Sequence, residues 1–292
     1  MNLFEAILLG LVQGLTEFLP VSSSGHLAIL KQLLKVNTDT GILFETLLHL
    51  GTLIAVCLVL WKDVRNLVVH GIGLIGAVFH NGYIFVTNKI QKESKPYDRL
   101  IINAYRKFAA LIIVTSVPTA IIGLALSSLI EMAAATLIMP GIGLVITAIL
   151  LLLIDGKESG KKKVKATTYR DAAAVGVVQG IATFPGLSRS GSTIAACLFL
   201  GLDRSFAVRY SFLASIPAII GANLLELRHV STSGMTGVMI IYYLLGMVVA
   251  GGVGYICVRF MINIVKRGRY QYFAYYCAGI GLISIIGYFF IK

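Results

Sequence analysis

Residues 10–26 read GLVQGLTEFLPVSSSGH, and residues 176–192 read GVVQGIATFPGLSRSGS. Aligned without gaps, eight of the 17 positions are identical: Gly10/Gly176, Val12/Val178, Gln13/Gln179, Gly14/Gly180, Phe18/Phe184, Ser22/Ser188, Ser24/Ser190 and Gly25/Gly191. Shared composition gives about one or two matches over such a length, so the chain carries an internal duplication. Each copy is an apolar stretch with a break in it. The first, 3–35, is broken at Leu19-Pro20-Val21-Ser22-Ser23-Ser24-Gly25, and the second, 172–202, at Pro185-Gly186-Leu187-Ser188-Arg189-Ser190-Gly191. The halves on either side are about 10–17 residues long, and a bilayer crossing needs about 20. The pattern predicts two helix–loop–helix pairs that enter a membrane and return. Their irregular backbone must be buried in protein or line a wet cavity.

The rest of the 292 residues agrees with a membrane protein. The chain is 57% hydrophobic and 13% charged, with a mean hydropathy of +0.87, against roughly a quarter charged in a soluble domain. That excludes a disordered chain and an ordinary cytosolic enzyme. Six apolar stretches are long enough to span: about 43–61, 107–126, 132–154, 205–225, 236–258 and 272–291. Pro118, Pro140 and Pro217 fall inside them, which membrane helices tolerate. Residues 67–87, rich in glycine and carrying His70, His80 and Asn81, read as interfacial. The N-terminal MNLFEAILLGL has no basic lead and reads as retained rather than as a removed signal peptide. Cys57, Cys197, Cys257 and Cys277 stand apart inside apolar stretches and read as small buried residues, not as disulfides or a zinc site.

Charge sets the orientation. The net charge is +12, which in a soluble protein would suggest nucleic acid. Here segments 62–107, 155–171 and 259–271 hold eight, six and four of the 25 Lys and Arg, whereas the connections 127–131 and 226–235 hold only Arg228. The positive-inside rule places the three basic segments in the cytoplasm. The excess charge then serves topology and the anionic leaflet, and no nucleic acid partner is expected. Three spans separate the two broken pairs. That odd number inverts one copy relative to the other, an architecture of many secondary transporters. The expected fold is an all-α polytopic membrane protein, a single membrane domain over 1–292. It has six transmembrane helices and two re-entrant pairs in an inverted repeat, with halves 1–154 and 172–292.

The chemistry lies where the copies differ. Glu17 stands opposite Thr183, Ser23 opposite Arg189 and His26 opposite Ser192. One copy supplies a carboxylate, a hydroxyl and an imidazole, and the other a guanidinium that can grip a phosphate with two parallel hydrogen bonds. Ser/Gly-rich loops at helix starts add N–H groups for an anion. The catalytic candidates are Glu17, Ser23, His26 and Arg189. The candidates for holding substrate are Gln13, Ser22, Ser24, Gly25, Ser188, Ser190, Gly191 and Thr193. Each has a plainer reading: a structural Glu17–Arg189 ion pair, His26 as a cap, the serines as N-caps. Gln13 and Glu17, four apart, share a helix face. Glu45 and His49 share another, which lines the same cavity or leaves Glu45 near the outer interface. Gly10 and Gly14 suit close helix packing.

QGLTEFLPVSSSGH at 13–26 and PGLSRSGST at 185–193 resemble the two signature motifs of the undecaprenyl-diphosphate phosphatase family, the integral-membrane bacitracin-resistance proteins. The resemblance extends over nearly the whole chain. It implies hydrolysis of undecaprenyl diphosphate to undecaprenyl phosphate and inorganic phosphate, recycling the lipid carrier of peptidoglycan and conferring bacitracin resistance. It also implies a bacterial inner-membrane location with the site on the outer side, and a divalent cation, magnesium or calcium, for which Glu17 is the metal-binding candidate. Gln13 stands where the family pattern allows a second Glu, which leaves Glu17 the principal carboxylate. The nucleophile is Ser23, His26 or a water, with Ser23 favoured. A homodimer is compatible with the chain. The rival expectation is a transporter or flippase of a lipid phosphate, which the inverted repeat fits equally well. A channel would leave the matched Glu17, Ser23, His26 and Arg189 unexplained.

Overall fold

The computed structural model describes residues 1–34, 36, 42–92, 94–226, 236–265 and 268–290. Twelve helices follow one another among them: α1 (Leu3–Thr16), α2 (Ser23–Leu33), α3 (Ile42–Val59), α4 (Trp61–Gln91), α5 (Ala104–Ala125), α6 (Ser127–Ala134), α7 (Ile138–Ile154), α8 (Tyr169–Ile181), α9 (Arg189–Phe199), α10 (Arg204–Glu226), α11 (Gly237–Val265) and α12 (Gln271–Phe290). No β-strand occurs among the described residues; Lys162 and Leu202 form one isolated bridge. Long apolar helices whose outward faces carry large exposed hydrophobic side chains make this a polytopic membrane protein. Arg228, Lys266 and Arg267, which entered the charge reading, lie outside the described residues.

The two copies of the duplicated motif are helical hairpins. Ser23 at the start of α2 lies beside Glu17 at the end of α1. Farther along, Leu27 and Leu30 of α2 join Ala6 and Leu9 of α1 in one apolar cluster, so α2 runs back along α1. Likewise α9 ends where Leu202 meets Lys162, on the side from which α8 sets out.

Each hairpin is embraced by a helix from the other half of the chain. α1 packs along α11, and α8 along α5. The contacts advance together. Gly10 meets Gly246, and Gly14 meets Ala250 and Gly254. Gly176 meets Thr115 and Pro118, and Gly180 meets Ile122. Both pairs of helices are therefore parallel. α3 also runs parallel to α11, with Phe44 at Gly246 and Ala55 at Gly254. α10 runs parallel to α5, with Phe206 at Phe108 and Tyr210 hydrogen-bonded to Thr115. α3 and α10 are antiparallel to each other, because Thr46 meets Glu226 while Asp63, just beyond α3, pairs with Arg209. One triad of α1, α3 and α11 thus opposes a second of α8, α10 and α5, and the repeats run in opposite directions. The antiparallel α7–α12 pair completes the bundle, with Leu137 at Ser284 and Gly141 at Gly281.

Two regions refine the sequence reading. The stretch read as one span over 132–154 is broken: α6 and α7 meet at 105°. Pro140 lies in the first turn of α7, where its missing N–H leaves no hydrogen bond unmade. The stretch read as interfacial, 67–87, lies within a continuous 31-residue helix, α4, apolar enough by composition to cross a membrane. It nevertheless begins and continues on one side of the bundle. Asp63 in its first turn pairs with Arg209 near the start of α10. His70 stacks on Tyr105 in the first turn of α5. Phe108 and Phe206 bring those two helix starts together. Beyond Gly73, which lies against Arg106, α4 passes the start of α5. The segment 95–103 returns along it through Lys95–Asn88 and Asp98–Asn81 hydrogen bonds.

The interdigitation of triads depends on helices approaching to backbone contact. A Cβ on Gly10 would come within 2.5 Å of the Gly246 carbonyl oxygen, whereas one on Gly123 would meet nothing within 4 Å. We expect Gly10→Ala to lose about 1–3 kcal/mol, an overpacking cost, and Gly123→Ala to lose none. Thermal unfolding in detergent measures both, and equal stability of the two variants would contradict the α1–α11 contact.

Candidate active site

The two hairpin tips meet, and polar groups hold them together. Ser22 caps α2 and Ser188 caps α9, their Oγ atoms accepting the N–H of Gly25 at 3.2 Å and of Gly191 at 3.0 Å. Ser190 Oγ donates to the Leu19 carbonyl at 3.1 Å, from one tip to the other. The glycines let the loops touch: a Cβ on Gly25 would come 2.9 Å from Gly186 Cα, and one on Gly191 3.2 Å from Pro20 Cβ. Gly186 itself, at φ +85°, lies against the Pro140 carbonyl. Thr147 of α7 clamps this loop, donating to the Gly186 carbonyl at 3.1 Å and accepting the Ser188 N–H at 2.9 Å.

Glu17 is the hub. It ends α1, is 5% exposed, and all of its acceptor capacity faces protein. Arg189 Nη2 donates to Oε1. Ser23 Oγ donates to Oε2 at 2.6 Å, and Gln13 Nε2, one turn back on α1, at 2.9 Å. His49 Nδ1 of α3 lies 3.6 Å from Oε2 and 3.0 Å from Gln13 Nε2. Arg189 also reaches the Ser215 carbonyl of α10 at 3.5 Å. A narrow gap with no room for a water molecule adjoins the pair, walled by Phe18, Ser211, Phe212 and Ser215. Four groups from four helices, α1, α2, α3 and α9, thus converge on one carboxylate.

Of the other candidates, His26 is turned elsewhere. Its Nδ1 lies 2.7 Å from the Ser22 carbonyl and its Nε2 2.8 Å from the Tyr276 hydroxyl, with the two rings stacked. Since the carbonyl only accepts, Nδ1 carries the proton and Nε2 accepts from Tyr276. Ser22 sits at φ 67°, a left-handed conformation that costs a non-glycine residue about 1–3 kcal/mol, and His26 grips the carbonyl of that strained turn. Ser24 is exposed and lies 3.4 Å from Ser22 Oγ. Thr193 is fully buried, its hydroxyl bonded to the Arg189 carbonyl and to Ser211. Of the Glu45/His49 pair, His49 joins the cluster and Glu45 pairs with Lys31 instead.

Thr147, Ser215 and Tyr276 were not singled out in the sequence. The repeat register, 176 − 10 = 166, carries His49 onto Ser215. Extending the duplication into α3 and α10 would have flagged that position. No comparable signal marks Thr147 or Tyr276.

A divalent cation finds partial provision here. No group of three His, Cys, Asp or Glu stands ready to hold a metal among the described residues. Beside Glu17, however, Gln13 Oε1 is buried without a hydrogen-bond partner. Magnesium typically takes one or two protein carboxylates and completes its shell with water and substrate phosphates. One carboxylate and an unpaired amide oxygen fit that pattern.

The family described as bacitracin resistance protein BacA matches residues 6–283. Among curated proteins, an undecaprenyl-diphosphatase of Treponema denticola is 42% identical over 282 residues, covering 97% of this chain and 96% of its own. One of Methanosphaera stadtmanae is 39% identical over 286 residues, with 98% of each chain covered. Undecaprenyl-diphosphatase 4 of Bacillus thuringiensis is 36% identical over 285 residues, covering 98% of this chain and 97% of its own.

The buried Glu17–Arg189 pair makes a test of stability independent of catalysis. Arg189→Ala leaves Glu17 with neutral hydrogen-bond donors and no full counter-charge, which should cost about 3–5 kcal/mol. Adding Glu17→Gln should restore most of that loss. Melting temperatures of the purified single and double variants measure it, and an additive double variant would refute the pairing.

Proposed function

The chain belongs to the bacitracin resistance protein family, and from that premise we propose that the Glu17 cluster is where it hydrolyses undecaprenyl diphosphate to undecaprenyl phosphate and inorganic phosphate. It is an undecaprenyl-diphosphatase, a membrane hydrolase that returns the lipid carrier for peptidoglycan synthesis and removes the diphosphate form that bacitracin sequesters. The relatives are named for hydrolysis, which favours an enzyme over a transporter built on the same repeat. One observation carries the assignment of the site: the Ser23 hydroxyl donates to Glu17 Oε2 at 2.6 Å while Arg189, from the other motif, holds Oε1. A nucleophile, its base and a phosphate-binding cation stand in one row.

The terminal phosphate competes with Glu17 for Arg189. When the guanidinium turns to the phosphate oxygens, the carboxylate loses its counter-charge and becomes a better proton acceptor. Ser23 Oγ then attacks the terminal phosphorus and its proton passes to Glu17. The bond from phosphorus to the bridging oxygen breaks, and Glu17 passes its proton to the undecaprenyl phosphate as it leaves. Water next attacks the phosphoserine, the again ionised Glu17 accepts its proton and hands it to Ser23 Oγ as the bond from phosphorus to that oxygen breaks, and inorganic phosphate is released. Arg189 and the N–H groups at the starts of α2 and α9 face the charge that grows on the phosphate oxygens. His26, through the Ser22 carbonyl, fixes the turn that aims Ser23. A divalent cation, held by Glu17 and Gln13 Oε1, supplies charge neutralisation at the phosphate oxygens when bound.

The distribution of Lys and Arg supports a cytoplasmic placement of the basic segments, and family membership supports a bacterial inner membrane, with re-entrant hairpins and a site open to the outer side. The prenyl tail then stays among the exposed apolar helix faces while the diphosphate reaches the loops.

Phosphate release from farnesyl or undecaprenyl diphosphate by the detergent-solubilised protein tests this. We expect Ser23→Ala and Glu17→Gln to lose at least about 10²-fold, and Arg189→Lys to lose activity because a point charge replaces a fork. EDTA should suppress release and magnesium or calcium restore it. Full activity of Ser23→Ala would remove the covalent route and leave water as nucleophile.

A further inference from the structure

Away from the Glu17 cluster, α4 and the returning segment 95–106 enclose a groove of about 470 Å³, lined by Gly73, Gly76, His80, Asp98, Arg99 and Arg106 among others. Its charges are unequally matched. The Asp98 carboxylate is taken by His80, whose Nδ1 lies 2.7 Å away. Among the described residues Arg106 has no such partner. Its Nη1 reaches only the carbonyls of Arg99 and Leu100, each at 3.4 Å, and its Nε is buried with no hydrogen-bond partner. Arg99 forms no ion pair among the described residues. Two guanidinium groups against one carboxylate leave the groove net positive. Gly73 and Gly76 keep it open: Arg106 Nη2 lies 3.1 Å from where a Gly73 Cβ would be, and a Cβ on Gly76 would meet nothing within 4 Å.

The neighbouring face of α4 says where the groove lies. Val68, Ile72, Ile75, Phe79, Val86 and Ile90 are all exposed, three, four or seven apart, and so form one stripe along the helix. An apolar stripe of that length, on a helix beginning and ending with Lys62, Arg65, Lys89 and Lys92, matches a helix lying in a membrane interface. The groove opens to the side of that stripe, on the side of the bundle where the basic segments gather.

We propose that this groove binds the phosphate of an anionic phospholipid of the cytoplasmic leaflet, with Arg99 and Arg106 as its ligands and the acyl chains against the α4 stripe. Phosphate offers several acceptor oxygens to a guanidinium fork. A bound lipid would hold α4 and the start of α5 to the membrane surface. The proposal uses no residue of the Glu17 cluster.

The experiment measures binding of a short-chain phosphatidylglycerol to the full-length protein in detergent, by native mass spectrometry or thermophoresis. Phosphatidylcholine and inorganic phosphate serve as comparison probes. We expect phosphatidylglycerol to bind best, and the Arg99→Ala/Arg106→Ala double variant to bind it roughly tenfold more weakly or worse, at about 1 kcal/mol per basic residue. Gly76→Leu, which fills the groove while keeping every charge, should weaken it comparably. Farnesyl diphosphate hydrolysis should be unchanged in all of these variants. Wild-type binding by Gly76→Leu would mean diffuse attraction to a basic surface and overturn the groove. Inorganic phosphate binding as tightly as the lipid would overturn the lipid assignment, and equal affinity for phosphatidylcholine would overturn both.

Discussion

A carboxylate and a guanidinium buried between two loops constrain everything around them. Neither Glu17 nor Arg189 can face lipid alone, and each is costly where it stands without the other. Their meeting requires two helices to stop inside the protein and two loops to arrive at one point from opposite directions. The proline-broken hairpins provide the stops. The inverted arrangement provides the opposite directions. The caps of Ser22 and Ser188, the Ser190 bridge to Leu19 and the Thr147 clamp absorb the backbone polar groups that the broken helices would otherwise leave bare. In the proposed reaction the same pair that closes the fold is also the pair a phosphate opens, so the structural and the functional reading of Glu17–Arg189 describe one contact in two states.

The duplicated motif was legible because its two kinds of conservation between copies have different physics. Gly10/Gly176 and Gly14/Gly180 match because both copies press a helix against a neighbour at backbone distance. Ser22/Ser188 match because both copies start a helix inside the protein. Gln13 and Gln179 match too. Both are fully buried and both keep Oε1 without a partner. Only the Gln13 side also holds Glu17, His49 and Ser23, so the proposed chemistry resides where the copies diverge. A symmetric scaffold carries an asymmetric site.

What the sequence left unread follows from what periodicity can and cannot carry. Hydropathy located α3, α5, α10, α11 and α12 because each shows a long apolar run to lipid. It joined α6 to α7, because a 105° bend changes direction without changing composition. It read 67–87 as interfacial but missed the continuous 31-residue helix α4 around it, because an exposed apolar helix at the interface and one crossing the bilayer share a composition and differ only in their contacts. The identity of the helices that pair, α1 with α11 and α8 with α5, had no signal in one chain. His49 was half legible, from its spacing to Glu45. Tyr276, far away in sequence and meeting His26 by its hydroxyl and its stacked ring, was not.

The exchange of α5 and α11 between the halves bears on how the molecule is made. When the first hairpin and α3 have left the ribosome, the helix they lean on is still some 180 residues from being synthesised, counting from α3 to α11. Glu17 must likewise wait for residue 189 before it meets its counter-ion. The first half therefore enters the bilayer as an incomplete assembly, with glycine-lined faces open and a carboxylate unmatched. Only when α11 arrives do both triads close. Cooperative, late assembly is the consequence of this interleaving, and it makes the two halves, despite their common origin, inseparable.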